Sequence, residues 1–188
     1  MKIRNGILTF AALAIPAFAA DYTLDLKPDN TRITWTLADP LHTVHGTFTL
    51  KSGSIDFDPE TSKASGQVVV DVTSGDSGSG ARDHNMHANV LQSAKYPEAV
   101  FVPKSLEGSL AVPGTSKLKV LGTFTIHGAA HEVTMHVQTT TTADRAHATI
   151  GFDIPYVAWG MKDPSNFVLK VEKTVKVTIQ TDAPLRKR

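Results

Sequence analysis

The chain has 188 residues, 41% of them hydrophobic, with 19 basic against 18 acidic side chains and no cysteine. That length suits one domain on the usual scale of about 100–200 residues and is enough for a real core. The lack of cysteine excludes disulfide stapling, thiol catalysis, iron–sulfur clusters and thiolate zinc sites, and a near-neutral chain with no basic stripe argues against nucleic acid as a partner.

The first expected element is a leader. MKIRNGILTFAALAIPAFAA opens with Lys2 and Arg4, runs apolar from Ile7 to Phe18 and ends in Ala17-Phe18-Ala19. A basic start, a short apolar run and a small-residue end describe a cleaved secretory signal. Residues 1–19 are therefore expected to be removed and residues 20–188 to form the domain. The run is short for a membrane span, which needs about 20 residues. Losing Lys2 and Arg4 leaves 17 basic against 18 acidic groups, a net charge of −1. The terminal LRKR is the remaining basic cluster. It would suit a transient contact with an anionic membrane surface, although a solvated tail is the simpler reading.

From residue 31 onward, period two dominates. TRITWTL puts Ile33, Trp35 and Leu37 on one face, and VHGTFTL does the same with Val44, Gly46, Phe48 and Leu50. GQVVVDV offers Val68, Val70 and Val72; KLKVLGTFTI offers Leu118, Val120, Gly122, Phe124 and Ile126. HEVTMHV, HATIGFDI, FVLKV and VKVTI continue the pattern with Val133 to Val137, Ala148 to Ile154, Phe167 to Val171 and Val175 to Ile179. Such alternation predicts half-buried antiparallel strands, apolar on one side and wet on the other. KSGS, DPETSKASG, VPGTS, HGAAH and TADRA look like hairpin-length connections between them. Eight or nine strands result, with no helix–strand alternation and hence no parallel sheet.

Two stretches break the rhythm. TSGDSGSGA, residues 73–81, has a flexible-loop composition. RDHNMHANVLQSAKYPEAVF, residues 82–101, predicts a short helix capped by Asp83, with Met86, Val90 and Leu91 as a narrow apolar stripe. Pro97 disfavours helix at Tyr96, and EAVFVP resumes as a strand. A single helix in such a chain is expected to cover a barrel mouth. An antiparallel barrel of eight strands is either filled by side chains or holds one small ligand. Inward Gly46, Gly122 and Ala148 could leave room for a ligand, or the glycines could ease strand bending in a filled barrel; the pattern alone leaves both open.

His84 and His87 are the sharpest enzyme-like signal. At i and i+3 on a helix they share a face and could both reach a metal, with His42, His45 or Asp83 to complete a site. His42 and His45 would point to opposite faces of a strand. No H-E-x-x-H signature, G-x-S-x-G elbow or phosphate-cradling glycine loop is present. A structural role at the helix start is the better reading of Arg82, Asp83 and His84, because polar clusters there usually cap.

Four of these stretches, VHGTFTLKSGSIDFDP, RDHNMHANVLQSAKYPEAVF, GTFTIHGAAHEVTMHV and FDIPYVAWGM, resemble in order and spacing the YceI-like family of periplasmic, lipocalin-like, polyisoprenoid-binding proteins. The first carries Gly46 and Phe48 in the V-x-G-x-F places and looks like the second and third strands. The second is the most specific, with its Arg-Asp-His start and Tyr-Pro end. The chain departs from the pattern at Asn30-Thr31, where the family has His-Ser, and at Tyr156 and Ala158, where it has an arginine and an acidic residue. Those departures are expected at the pocket rim.

The resemblance implies an all-β fold: an antiparallel eight-stranded lipocalin-like β-barrel with one short helix near the mouth. It implies a non-catalytic periplasmic carrier for a polyisoprenoid or similar long-chain lipid, such as an isoprenoid quinone or its precursor, or an envelope-stress role. A transient membrane contact and a homodimer are compatible with it; no cofactor is expected beyond the lipid. The apolar lining would comprise Trp35, Phe48, Val70, Phe101, Phe124, Ile126, Ile150, Phe152, Ile154, Tyr156, Trp159 and Leu169. The alternative is a metal-binding protein or metal-assisted hydrolase built on the histidines.

Overall fold

A computed structural model describes residues 22–38, 43–165 and 170–187. The expected leader lies outside the described residues. Among the described residues nine strands form: β1 (Tyr22–Leu26), β2 (Thr31–Ala38), β3 (Thr43–Asp58), β4 (Lys63–Asp76), β5 (Glu98–Glu107), β6 (Gly114–Ile126), β7 (Ala129–Thr141), β8 (Arg145–Ile154) and β9 (Val175–Lys187). A short helix, α1 (Gly80–Asn85), continues into a wider π turn over Met86–Val90.

All pairings are antiparallel, and β3 pairs with β4 to close the sheet. The circuit has eight positions because β1 and β2 lie end to end between β3 and β9. Pro28-Asp29-Asn30 interrupts that shared position. Asn30 accepts from the Lys27 N–H at 2.8 Å through its Oδ1 and donates from Nδ2 to the Asp25 carbonyl at 3.1 Å. This is the asparagine turn chemistry that competes with a ladder. The fold is thus the expected eight-stranded antiparallel barrel with one short helix.

The barrel's alternation produces its interior. Ile33 and Trp35 of β2, Leu50 of β3, Val68 and Val72 of β4, and Phe124 and Ile126 of β6 are all buried in one apolar cluster. A second cluster of Phe57, Ala64, Ala146 and Leu185, backed by Leu106, Leu110 and Val112, fills the end away from the helix.

Four local expectations differ. KSGS is no turn: β3 runs through it as one 16-residue strand. The ladder to β4 shifts between Leu50 and Ser52, and the inward residues change from Phe48 and Leu50 to Ile55 and Phe57. A bulge inserts one residue and flips the parity, which in sequence looks like a break between two strands. TSGDSGSGA is not a free loop either, since β4 extends to Asp76 and α1 begins at Gly80. Lys170 to Thr174, including Val171 of the expected FVLKV strand, are irregular; there the Glu172 N–H donates to the Ala38 carbonyl at 3.0 Å.

Asp83 does not cap α1. Ser79 occupies that position, and the Asp83 carboxylate instead reaches back to accept from the N–H of Ser77 at 2.9 Å and from the Ser77 hydroxyl. It therefore locks the β4–α1 junction.

Candidate functional site

The barrel encloses a cavity of about 750 Å³ that runs from the helix to the far apolar cluster. This is toward the upper end of the range for small-molecule sites. Consecutive antiparallel strands alternate direction, so α1, the β6–β7 hairpin and the β8–β9 connection share one end, which is the mouth. Met86, Val90 and Leu91 put their apolar stripe into the cavity from above. The π turn makes this possible, with the Leu91 N–H donating to the Met86 carbonyl at 2.8 Å and so spacing the three residues inward.

Of the residues expected to line it, Trp35, Phe48, Val70, Phe101, Phe124, Ile126, Ile150, Phe152, Ile154 and Tyr156 all stand on the cavity wall. Phe124 meets Phe152 edge-on at 5.5 Å between ring centres, a favoured aromatic geometry. Two differ. Trp159 is displaced from the wall because its indole lies flat on the His131 ring, 4.0 Å away with an interplanar angle of 5°. Leu169 lies outside the described residues. Sequence reasoning missed Leu24, Phe57, Leu106, Leu110 and Leu185 at the far end, since β1 is short, the β3 bulge changes parity before Phe57, Leu110 lies in the β5–β6 connection, and the ends of β5 and β9 show no clear face.

The inward glycines do not open the cavity. A Cβ on Gly46 would lie 2.3 Å from Cε2 and Cζ2 of Trp35, and one on Gly122 would lie 2.7 Å from the Phe101 ring. Each glycine is a slot in the wall that a neighbouring aromatic ring fills. The room comes instead from the girth of an eight-position barrel and from small residues such as Ala148 and Ala99 on its wall.

The mouth is held by polar contacts. His87 bonds at both ring nitrogens, Nδ1 with the Ser93 hydroxyl at 3.0 Å and Nε2 with the Gly75 carbonyl at 2.9 Å. A carbonyl only accepts, so Nε2 carries the proton, and the ring ties the helix to β4. His84 is exposed, His45 bonds Thr36 Oγ1 at 3.2 Å, and His42 lies outside the described residues. Among the described residues no three histidine, aspartate or glutamate side chains gather as a metal site would require. The Ser77 bonds hold the Asp83 carboxyl below the usual carboxylate range, with nearby Arg82 adding to the effect.

Tyr156 pins the β8–β9 connection. Its hydroxyl donates to the Glu172 carbonyl at 2.9 Å, and burial, reinforced by the charge of Asp163, pushes the phenol up to about 12. The β6–β7 tip is a two-residue turn with φ of 52° at His127 and 78° at Gly128, the mirror-type turn that suits a twisted hairpin. A Cβ on Gly128 would lie 2.6 Å from the Tyr96 ring, so the Tyr-Pro segment packs against this tip.

The sequence departures do not share one place. Tyr156 is at the mouth, but Thr31 lines the cavity deep in the barrel, beside Thr181 of β9 at 3.1 Å between hydroxyls. The expectation of a common rim location is corrected by the β1–β2 interruption, which puts Asn30-Thr31 at the start of β2 and so on the side away from the helix.

Comparison with known proteins gives the same fold. Protein YceI of Escherichia coli O157:H7 is 30% identical over 137 residues, covering 70% of this chain and 69% of that one. A UPF0312 protein of Vibrio vulnificus is 29% identical over 136 residues, 71% and 70% of the two chains. A polyisoprenoid binding domain from Saccharophagus degradans, implicated in plant cell wall breakdown, superposes with a TM-score of 0.69 at 19% identity, over 89% of this chain and all of that one. BcnA of Burkholderia cenocepacia superposes at 0.66 with 20% identity, over 84% and 96%. The model of the YceI-like domain matches residues 22–183, from the first residue of β1 into β9, and with that coverage the chain belongs to the YceI-like family.

Proposed function

We propose that this protein is an exported, non-catalytic carrier that holds a long-chain isoprenoid or similar lipid inside its barrel, in the periplasm. The observation that carries this is the cavity wall, which aliphatic and aromatic side chains build along almost its whole length. Burying a few hundred Å² of lipid at about 25 cal/mol per Å² yields several kcal/mol, from which the cost of immobilising the chain is subtracted. Such binding needs no directional bond and tolerates variation in chain length, so an isoprenoid quinone or its precursor fits as well as a simple prenyl chain. The polyisoprenoid binding domain of the same fold supports that choice of chain. The basic, apolar and small-residue leader supports export, and among the described residues no helix is long and apolar enough to cross a membrane.

The metal-assisted alternative has less behind it. The ring nitrogens of His87 are committed to Ser93 and Gly75, and His84 is exposed. On the carrier reading the protein needs no cofactor other than its cargo.

Titration of a polyprenol into solvent-extracted protein tests the proposal. In a Trp159→Phe variant the remaining indole is Trp35, on the wall. Its emission is expected to change and saturate near one lipid per chain. Emission that stays constant through lipid excess would count against a lipid-holding barrel.

A further inference from the structure

The wall of the barrel is not zipped along its full height. The β7–β8 ladder runs from the Thr141–Ala146 pair to the His136–Gly151 pair and ends there. Toward the mouth the two strands continue without each other: Ala129 through Met135 stay paired with β6, and Phe152, Asp153 and Ile154 with β9. On the outer face Glu132 accepts from Lys104 of β5 and Thr123 of β6, each at 2.8 Å, which holds this part of β7 on the side away from β8. The seam that results is about 10 Å long on the β8 side, at ~3.4 Å per residue. Met135 flanks it on one side and Phe152 and Ile154 on the other, and all three line the cavity.

A turn of the β8–β9 connection spans the seam. Residues 155–161 fold back on themselves, the Trp159 N–H donating to the Pro155 carbonyl and the Met161 N–H to the Tyr156 carbonyl, both at 3.0 Å. The Tyr156 hydroxyl ties this turn to the β9 side through the Glu172 carbonyl. Toward β7 the turn makes no hydrogen bond among the described residues. What reaches across is the Trp159 indole, flat on the His131 ring. His131 Nε2 is buried without a hydrogen-bond partner among the described residues, so ring packing alone holds the stack.

The helical cover is fastened differently. His87 bonds the Gly75 carbonyl, and both Asp83 and Arg82 bond Ser77. Raising the helix breaks these bonds, two of which are charge-assisted. Parting residues 155–161 from β7 breaks one ring stack and no ladder, and it gives His131 Nε2 access to water. The seam is therefore the part of the wall that opens first.

We infer that this seam is a lateral gate, with residues 155–161 as its leaf and the His131–Trp159 stack as its latch, through which a lipid chain crosses the wall while the helix stays in place. This rests on the lipid-holding reading above and adds the route. An elongated chain then slides in between two strands and need not be threaded end-on past Met86, Val90 and Leu91.

Trp159→Phe keeps an aromatic ring over His131 and leaves Trp35 as the reporter, so it is the reference for geranylgeraniol uptake and release followed by stopped-flow emission. Trp159→Ala removes the latch. Its association and dissociation rates should both rise about fivefold over the reference, with Kd within about twofold, because Trp159 is off the cavity wall. His131→Ala in the reference background should do the same. Trp159→Ala combined with His131→Ala should be no faster than either, since each change removes the same contact. Hydrogen exchange of the lipid-free wild type reads the opening without any variant: residues 155–161 should exchange faster than residues 80–91. Rates equal to the reference, faster dissociation alone with a weaker Kd, or a combined variant faster than both singles would overturn the gate and leave the carrier reading standing. Faster exchange at residues 80–91 would do so too, by placing the opening at the helix. Failure of both wild type and reference to bind geranylgeraniol would sink the carrier reading and the route with it.

Discussion

Gly46 stands opposite Trp35 in the β2–β3 ladder, and the Trp35 indole occupies the space that a side chain at position 46 would need. A Cβ there would meet Cε2 and Cζ2 at 2.3 Å and the Asp76 carbonyl oxygen at 2.5 Å. The indole Nε1 is buried without an acceptor among the described residues, so packing and not a hydrogen bond holds the ring in place. Gly46→Ala must therefore either distort the β3–β4 junction or push the indole into the cavity. The expected cost is about 1–3 kcal/mol of stability, as for other overpacked cores, together with reduced lipid uptake. Chemical denaturation and lipid titration of the variant measure the two effects.

Ala148 tests the cavity from the other side. It lines the wall between Thr139 and Thr181 and faces open space. Ala148→Phe should fold, because the added ring enters an existing void, with a stability change within about 1.5 kcal/mol of wild type. Lipid binding should fall steeply. A variant that folds and binds lipid as well as wild type would place the cargo outside the barrel.

His87 joins the helix to β4 through Gly75 and to the following turn through Ser93. His87→Ala leaves the Gly75 carbonyl without its donor, at a cost of about 1–3 kcal/mol. The expected result is a lower Tm and faster lipid dissociation, while a chelator leaves the wild-type Tm where it was. A fall in Tm on chelation would point to a bound metal and against this structural role.

Asp83 makes the mouth acid-sensitive. Its carboxyl is depressed in the folded protein by the Ser77 bonds, so its contribution is present above the ordinary carboxylate range and is lost as pH falls through the folded value. Lipid release should accelerate below about pH 4, and Asp83→Asn should remove that acid dependence. Stopped-flow transfer of a fluorescent lipid across pH reads it.

Tyr156 acts at the alkaline limit with the opposite sign. Burial raises the phenol from 10.0 to about 12. The neutral form is favoured in the fold, so this stability is fully present below pH 10 and is lost as pH rises toward 12. Two pKa units correspond to at most about 2.7 kcal/mol. Tyr156→Phe should lose the bond to Glu172, about 1 kcal/mol, and should unfold with a flatter alkaline limb than wild type.

Much of the fold was legible because barrel strands alternate strictly. Ile33-x-Trp35-x-Leu37 and Ile150-x-Phe152-x-Ile154 face inward as their spacing demands, and Met86, Val90 and Leu91 form the helix stripe that the sequence predicts. What failed did so where the backbone changes phase. The bulge within Lys51–Ser54 reverses parity inside one strand and was indistinguishable from a turn. The interruption at Pro28–Asn30 hides that β1 and β2 share one position in the barrel. The role of the inward glycines was also illegible. Whether Gly46 opens a cavity or receives a ring depends on the rotamer of Trp35, which alternation does not encode. Trp159 left the wall for a similar reason, since its stack on His131 joins two residues far apart in the chain.

The most direct test of a lipid-holding barrel is mass spectrometry of an organic-solvent extract of the protein, expressed with its leader in a bacterial host and purified without detergent. A stoichiometric long prenyl chain in the extract is the predicted result. A lipid-free extract, with metal found in the protein instead, would contradict the carrier account and return His84 and His87 to the centre of the question.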